Sequence, residues 1–167
     1  MAFSAQHIKQ ARLALQKSDP VMKRIIKQVG PFTAKLSRDR YAALVQSILS
    51  QQISTAAART ICGRLESAMS ADPQHRANAW NPEALANLSI EDFRELGVSR
   101  QKASYVIDLT RHVIAGTIDL GKMARMSDDA VIATVTQVKG IGVWTAQMFL
   151  MFSLGRLDVF PAGDLGI

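Results

Sequence analysis

Apolar residues recur at three- and four-residue spacings along most of the chain, and no stretch of useful length alternates apolar with polar. In "SRDRYAALVQSILSQ", Tyr41, Leu44, Val45, Ile48 and Leu49 fall on one face of a predicted helix. Ser54 is placed to cap a following helix through Ala68, with Arg59 and Arg64 on its wetter side. The two prolines and two asparagines of "ADPQHRANAWNP", residues 71–82, predict a loop. "NPEALANLSIEDFRELG" then reads as two short helices, with Ser89 and Asp92 forming an approximate capping box and Gly97 a stop. Ser99 caps "RQKASYVIDLTRHVIAG", whose inner stripe is Ala103, Val106, Ile107, Thr110, Val113 and Ile114, and Gly116 ends it. Ser127 starts "DDAVIATVTQV", and a last helix is expected over Val143 to Leu154. No low-complexity tract or fixed-period repeat interrupts this pattern. The prediction is an all-α fold of many short helices.

Composition narrows the class only a little. A chain of 167 residues suits one compact domain, or two small lobes sharing a core. With 20 Lys and Arg against 14 Asp and Glu, the net charge of +6 favours a polyanionic partner, nucleic acid ahead of a membrane surface. Many basic proteins nonetheless bind nothing anionic. Cys62 is the single cysteine, so neither an internal disulfide nor a cysteine-held iron–sulfur cluster is expected, and its helical setting reads as core. The opening residues lack the apolar run of a signal peptide. Ile141 to Leu154 is the longest apolar stretch, broken by Thr145, Gln147 and Ser153, which suits a buried helix better than a membrane span. The expectation is a soluble monomer in the cytoplasm (nucleoid) or nucleus, with no membrane contact.

The informative stretch is "VKGIGVWTAQMFLMFSLGRLDVFPAGD", residues 138–164. Gly140 and Gly142 alternate between two apolar helical segments, allowing a tight turn whose N–H groups, with those of the next helix start, suit a phosphate oxygen. Lys139 adds charge beside them. An ordinary interhelical turn explains a lone glycine pair just as well. A "GD" such as Gly163–Asp164 is most often a helix cap, and a tryptophan in an apolar helix such as Trp144 is most often core.

The flanks shift that balance. "VKGIGVWTA", "DVFPAGD", "SILSQQIS" (residues 47–54) and "LGVSRQKASYVIDL" (residues 96–109) occur in the order found in the helix-hairpin-helix DNA glycosylase superfamily. Within it the chain most resembles the 3-methyladenine DNA glycosylase II family, from about Gly30 onward. The resemblance implies a helix-hairpin-helix glycosylase domain over 37–167, hairpin at 138–142, preceded by N-terminal helices in 1–36 packing on the core. It implies a monofunctional base-excision enzyme that flips an alkylated purine out of double-stranded DNA and hydrolyses its N-glycosidic bond.

Carried over residue by residue, Asp164 matches the catalytic aspartate, and Trp144 and Met148 the base pocket. Trp144 stands where lyase members carry a lysine nucleophile, so no strand nicking is expected. Ser50, Gln51 and Gln52 match the wedge loop, Gln52 filling the gap left by the flipped nucleotide and Gln51 touching neighbouring bases. Unaided, the two glutamines read as a solvated turn. Lys139, Gly140, Ile141, Gly142 and Thr145 match the DNA-binding hairpin and helix start. Backbone carbonyls of Thr136, Val138 and Ile141 match a structural Na+ or K+ site; no other cofactor is implied, and no iron–sulfur cluster. Arg100 and Lys102 open a helix and could face phosphate, although a charged helix start is ordinarily just solvated.

One departure matters. Family members continue past the aspartate with further helices, so a C-terminally truncated domain is expected. That leaves a second reading open: a non-catalytic helix-hairpin-helix DNA-binding protein, or an inactive truncated glycosylase. An all-α protein with no DNA role requires every motif to be accidental.

Overall fold

The structure, a computed structural model, describes residues 4–71 and 80–164. Among these the regular structure is entirely helical: α1 (Ala5–Ser18), α2 (Pro20–Val29), α3 (Arg40–Ser50), α4 (Thr55–Ala71), α5 (Pro82–Ala86), α6 (Ile90–Glu95), α7 (Arg100–Ile114), α8 (Asp128–Val135) and α9 (Val143–Phe152), with a 3-10 turn at Lys122–Arg125. No helix among the described residues is long and apolar enough to cross a membrane.

α3 is the centre of the core. Its Tyr41, Ala42, Leu44, Val45, Ile48 and Leu49 are all buried, as their spacing predicts, and it packs against α4, α7 and α9. Asp39 starts it by accepting a hydrogen bond from the Ala42 amide at 2.9 Å. α5 and α6 lie on α7, and α8 pairs with α9. Phe93 of α6 and Leu150 of α9 are among the largest fully buried side chains.

Start signals in the sequence are met by geometry. Ser54 accepts from the Ala57 amide, and Ser99 from the Lys102 amide. Ser89 and Asp92 form a full capping box, and Ser127 accepts from the Ala130 amide. The Asp92 carboxyl is held below the usual range by the hydrogen bonds it accepts from Ser89.

Two expectations need correction. On α7 the buried residues are Ala103, Val106, Leu109 and Thr110, whereas Ile114 is 51% exposed. α7 stops at Ile114, and that side chain borders an open cleft with Ile90 and Ile107. The stripe is therefore rotated toward Leu109. α1 and α2 pack on each other and contribute no buried residue to the core. Trp80, assigned to the loop over 71–82, is buried in the core, while residues 72–79 of that loop lie outside the described residues. Cys62 is partly buried against the core, and burial pushes its thiol pKa up.

A polar bond crosses the core. Thr110 donates to the Val106 carbonyl at 2.6 Å, so the Tyr41 hydroxyl is the donor in its 2.7 Å bond to Thr110 Oγ1. Both ends of this α3–α7 link are buried.

Candidate active site

α8 ends at Val135, and the chain reverses through 136–142 into α9. Gly140 has φ +81°, a left-handed conformation, and the Tyr105 ring lies where a side chain would begin. Gly142 differs. Its φ of −93° suits any residue, and an added Cβ would have nothing within 4 Å. Only one of the two glycines is therefore demanded by the fold; the other leaves open space at the helix mouth.

No side chain caps α9 at Gly142, so the first-turn N–H groups of this helix point outward without a side-chain acceptor. Lys139 is exposed beside them, but its own amide donates to Asp108 Oδ2 at 2.9 Å and is not available to a ligand. Ile141 and Thr145 are only 4% and 5% exposed, so neither presents a free side chain to solvent. The Ile141 amide donates to the Val138 carbonyl at 3.1 Å, closing the turn.

Across a cleft of about 430 Å³ lies the α3–α4 loop. Ser50, Gln51, Gln52, Gly140, Gly142, Trp144 and Thr145 all border this cleft. The Ser50 hydroxyl donates back to the Gln46 and Ser47 carbonyls. Gln51 turns inward, its Nε2 donating to the Gly140 carbonyl at 2.7 Å, which ties the loop to the hairpin rather than presenting this amide to a ligand. Gln52 is exposed and sits at φ +54°, a rare conformation for a residue with a side chain.

Trp144 is not a core residue: it is 47% exposed. Its Nε1 donates to Asp164 Oδ2 at 2.8 Å, joining residues twenty positions apart. Asp164 is delivered by an ordered path. The Arg156 side chain meets the Met126 carbonyl at 2.6 Å and Asp128 at 3.1 Å, Pro161 is buried, and the Asp164 amide donates to the Pro161 carbonyl at 2.8 Å. Met148 is partly buried one turn beyond Trp144.

The two helix-start cations are engaged elsewhere. Lys102 Nζ donates to the Leu49 carbonyl at 2.7 Å, and its loss of solvent holds its pKa below the usual lysine range. Arg100 pairs loosely with Glu91 at 3.6 Å. Among the described residues no group of His, Cys, Asp and Glu has a metal-binding arrangement.

An uncapped helix mouth after a left-handed glycine turn, a polar loop facing it, and an indole-held carboxylate at the rim define an all-helical fold of the helix-hairpin-helix kind. Residues 45–167 match the model of the HhH-GPD superfamily of base excision DNA repair proteins, and the chain belongs to that superfamily. DNA-3-methyladenine glycosylase 1 of Schizosaccharomyces pombe is 34% identical over 161 residues, covering 94% of this chain and 68% of that protein. YfjP of Bacillus subtilis is 34% identical over 130 residues, but these span only 44% of its length. Among solved structures, S. pombe 3-methyladenine DNA glycosylase in complex with abasic DNA superposes with a TM-score of 0.78 at 32% identity, covering 93% of this chain and 75% of that one.

Proposed function

We propose that this chain is a monofunctional DNA glycosylase that hydrolyses the N-glycosidic bond of alkylated purines flipped out of double-stranded DNA. The observation that carries the reading is the 2.8 Å bond between Trp144 and Asp164 beside the uncapped mouth of α9. It puts an aromatic face and a carboxylate within reach of one nucleotide. The names of the S. pombe relative and structural neighbour support this choice of substrate and partner.

As a methylated, cationic base departs, positive charge grows on the sugar, and the Asp164 carboxylate stabilises it. The same group can orient or deprotonate the attacking water. The indole N–H fixes the carboxylate's rotamer, and the ring face offers a surface for an electron-poor base. A lyase step needs an amine nucleophile at the helix start, where this chain has an indole.

The first-turn N–H groups of α9 and the exposed Lys139 bind a backbone phosphate, and the space over Gly142 lets it approach. Gln52 enters the gap left in the duplex, a role that its exposure at the tip of the loop supports. The carbonyls of Thr136, Val138 and Ile141, on one turn, are oxygen donors suited to Na+ or K+, which would offset phosphate charge there; Val138 O retains a lone pair beyond the Ile141 bond. The enzyme acts as a monomer, in the nucleoid or nucleus.

The test is to incubate the chain with a duplex bearing 7-methylguanine or 3-methyladenine, quantify free base by chromatography, and run the strand on a denaturing gel. Free base with an unbroken abasic strand is the expected result. Salt-sensitive DNA binding without base release leaves only a DNA-reading module and refutes the enzymatic reading.

A further inference from the structure

Three residues of α7, each three positions from the last, reach the two loops that face the cleft. Lys102 Nζ donates to the carbonyl of Leu49, the penultimate residue of α3, two residues before the α3–α4 loop begins at Gln51. The Tyr105 ring packs on Gly140, and its hydroxyl accepts from Gln101 Nε2 at 2.7 Å. The Asp108 carboxylate accepts from the Lys139 amide at 2.9 Å. Residues at this spacing form a continuous ridge along a helix. A fourth bond closes the circuit, since Gln51 of the loop donates to the carbonyl of Gly140, the residue after Lys139.

We infer that this ridge of α7 is a frame that sets the wedge loop and the hairpin at a fixed separation, with Asp108 and Gln51 as its positioning residues. The inference rests on the proposed DNA reading for its consequence, but not for its geometry. Asp108 presents a carboxylate close to a site meant for phosphate, where a negative charge opposes binding. Its presence there is accounted for by the bond to the Lys139 amide, which holds the hairpin in the left-handed turn that aims the α9 mouth into the cleft. Gln51 gives up its amide to the same turn, so inserting the loop into a duplex and gripping the phosphate become one rigid-body event. A preorganised surface loses less conformational freedom on binding.

The experiment compares the wild-type chain with Asp108→Ala, Asp108→Asn, Gln51→Ala and the Asp108→Ala/Gln51→Ala double variant. Amide hydrogen exchange of residues 139–142 is measured without DNA, and affinity for a duplex carrying a tetrahydrofuran abasic analogue by fluorescence anisotropy at fixed salt. Thermal melting serves as the folding control. Asp108→Ala is expected to speed exchange at Lys139, to weaken DNA binding roughly tenfold, and to lower the melting temperature by only a few degrees while unfolding stays one cooperative transition. Asp108→Asn, which keeps an acceptor oxygen, restores both readouts. The double variant loses less affinity than the product of the single losses, because either break already frees the hairpin. Unchanged exchange in Asp108→Ala overturns the frame, as does an Asp108→Asn variant no better than alanine. A wild-type chain that fails to bind the duplex overturns the functional reading instead, and the exchange arm then decides the frame alone.

Discussion

Replacing Gly140 with alanine attacks the hairpin at its most constrained point. At φ +81° a side chain costs roughly 1–2 kcal/mol from the clash of Cβ with its own backbone. The added Cβ would also sit 2.6 Å from Tyr105 Cγ and closer still to Cδ2 and Cε2, so the ring or the turn must move. Forcing a methyl group into an occupied site typically costs about 1–3 kcal/mol. The sum, about 2–5 kcal/mol, is a large share of the roughly 5–15 kcal/mol that holds a domain folded. Gly116→Ala isolates the first part, since Gly116 has φ +71° with nothing within 4 Å of an added Cβ. Urea unfolding of both variants should show Gly140→Ala the less stable by at least about 1 kcal/mol, a further fall in melting temperature of roughly 2–4 °C or more. Tyr105→Ala should recover that difference when combined with Gly140→Ala. Equal losses in the two glycine variants would refute the claim that the Tyr105 ring dictates glycine at 140.

Tyr41→Phe should cost about 1 kcal/mol in urea unfolding, since it removes the buried donor to Thr110. Burial raises the Tyr41 pKa above the ordinary tyrosine value, so the folded state holds this proton where the unfolded chain releases it. Its contribution is therefore complete below about pH 10 and falls as pH rises further, and the stability gap between wild type and Tyr41→Phe should narrow there. Binding to undamaged duplex should weaken linearly in log salt as phosphate contacts release counterions, and a flat salt profile in anisotropy titrations would refute the hairpin–phosphate contact. Trp144→Phe keeps an aromatic face but removes the donor to Asp164; single-turnover base release should drop roughly tenfold or more with duplex affinity nearly unchanged.

Much of the scaffold was legible because its signals are local. The serines at 54, 89, 99 and 127 announce helix starts through bonds to residues three positions on, and the apolar spacing on α3 names a core face that the packing keeps. On α7 the structure differs in detail, because periodicity gives a stripe but not its cover: Leu109 is buried, and Ile114 faces an open cleft. The same limit applies to α1 and α2, whose apolar residues carry no mark of what they meet. The resemblance matches Gln51 to neighbouring bases, and the Lys139 charge reads as lying beside a phosphate site; neither reading foresees the bonds that the Gln51 side-chain amide and the Lys139 backbone amide make inside the protein. Those bonds join residues 89 and 31 positions apart, beyond any spacing rule. The joining of Trp144 to Asp164 is likewise tertiary, set by the path through Arg156 and Pro161.

The most direct test of the central claim separates chemistry from binding at Asp164. Single-turnover release of methylated purine is measured for wild type and Asp164→Asn, alongside the affinity of each for the same duplex. The asparagine keeps the shape of the side chain and an acceptor for Trp144 but loses the charge that would stabilise the sugar cation. Base release should fall by about 100-fold or more, as when a single preorganised electrostatic group is removed, while DNA affinity stays within about threefold. An Asp164→Asn chain that releases base at the wild-type rate would contradict the account.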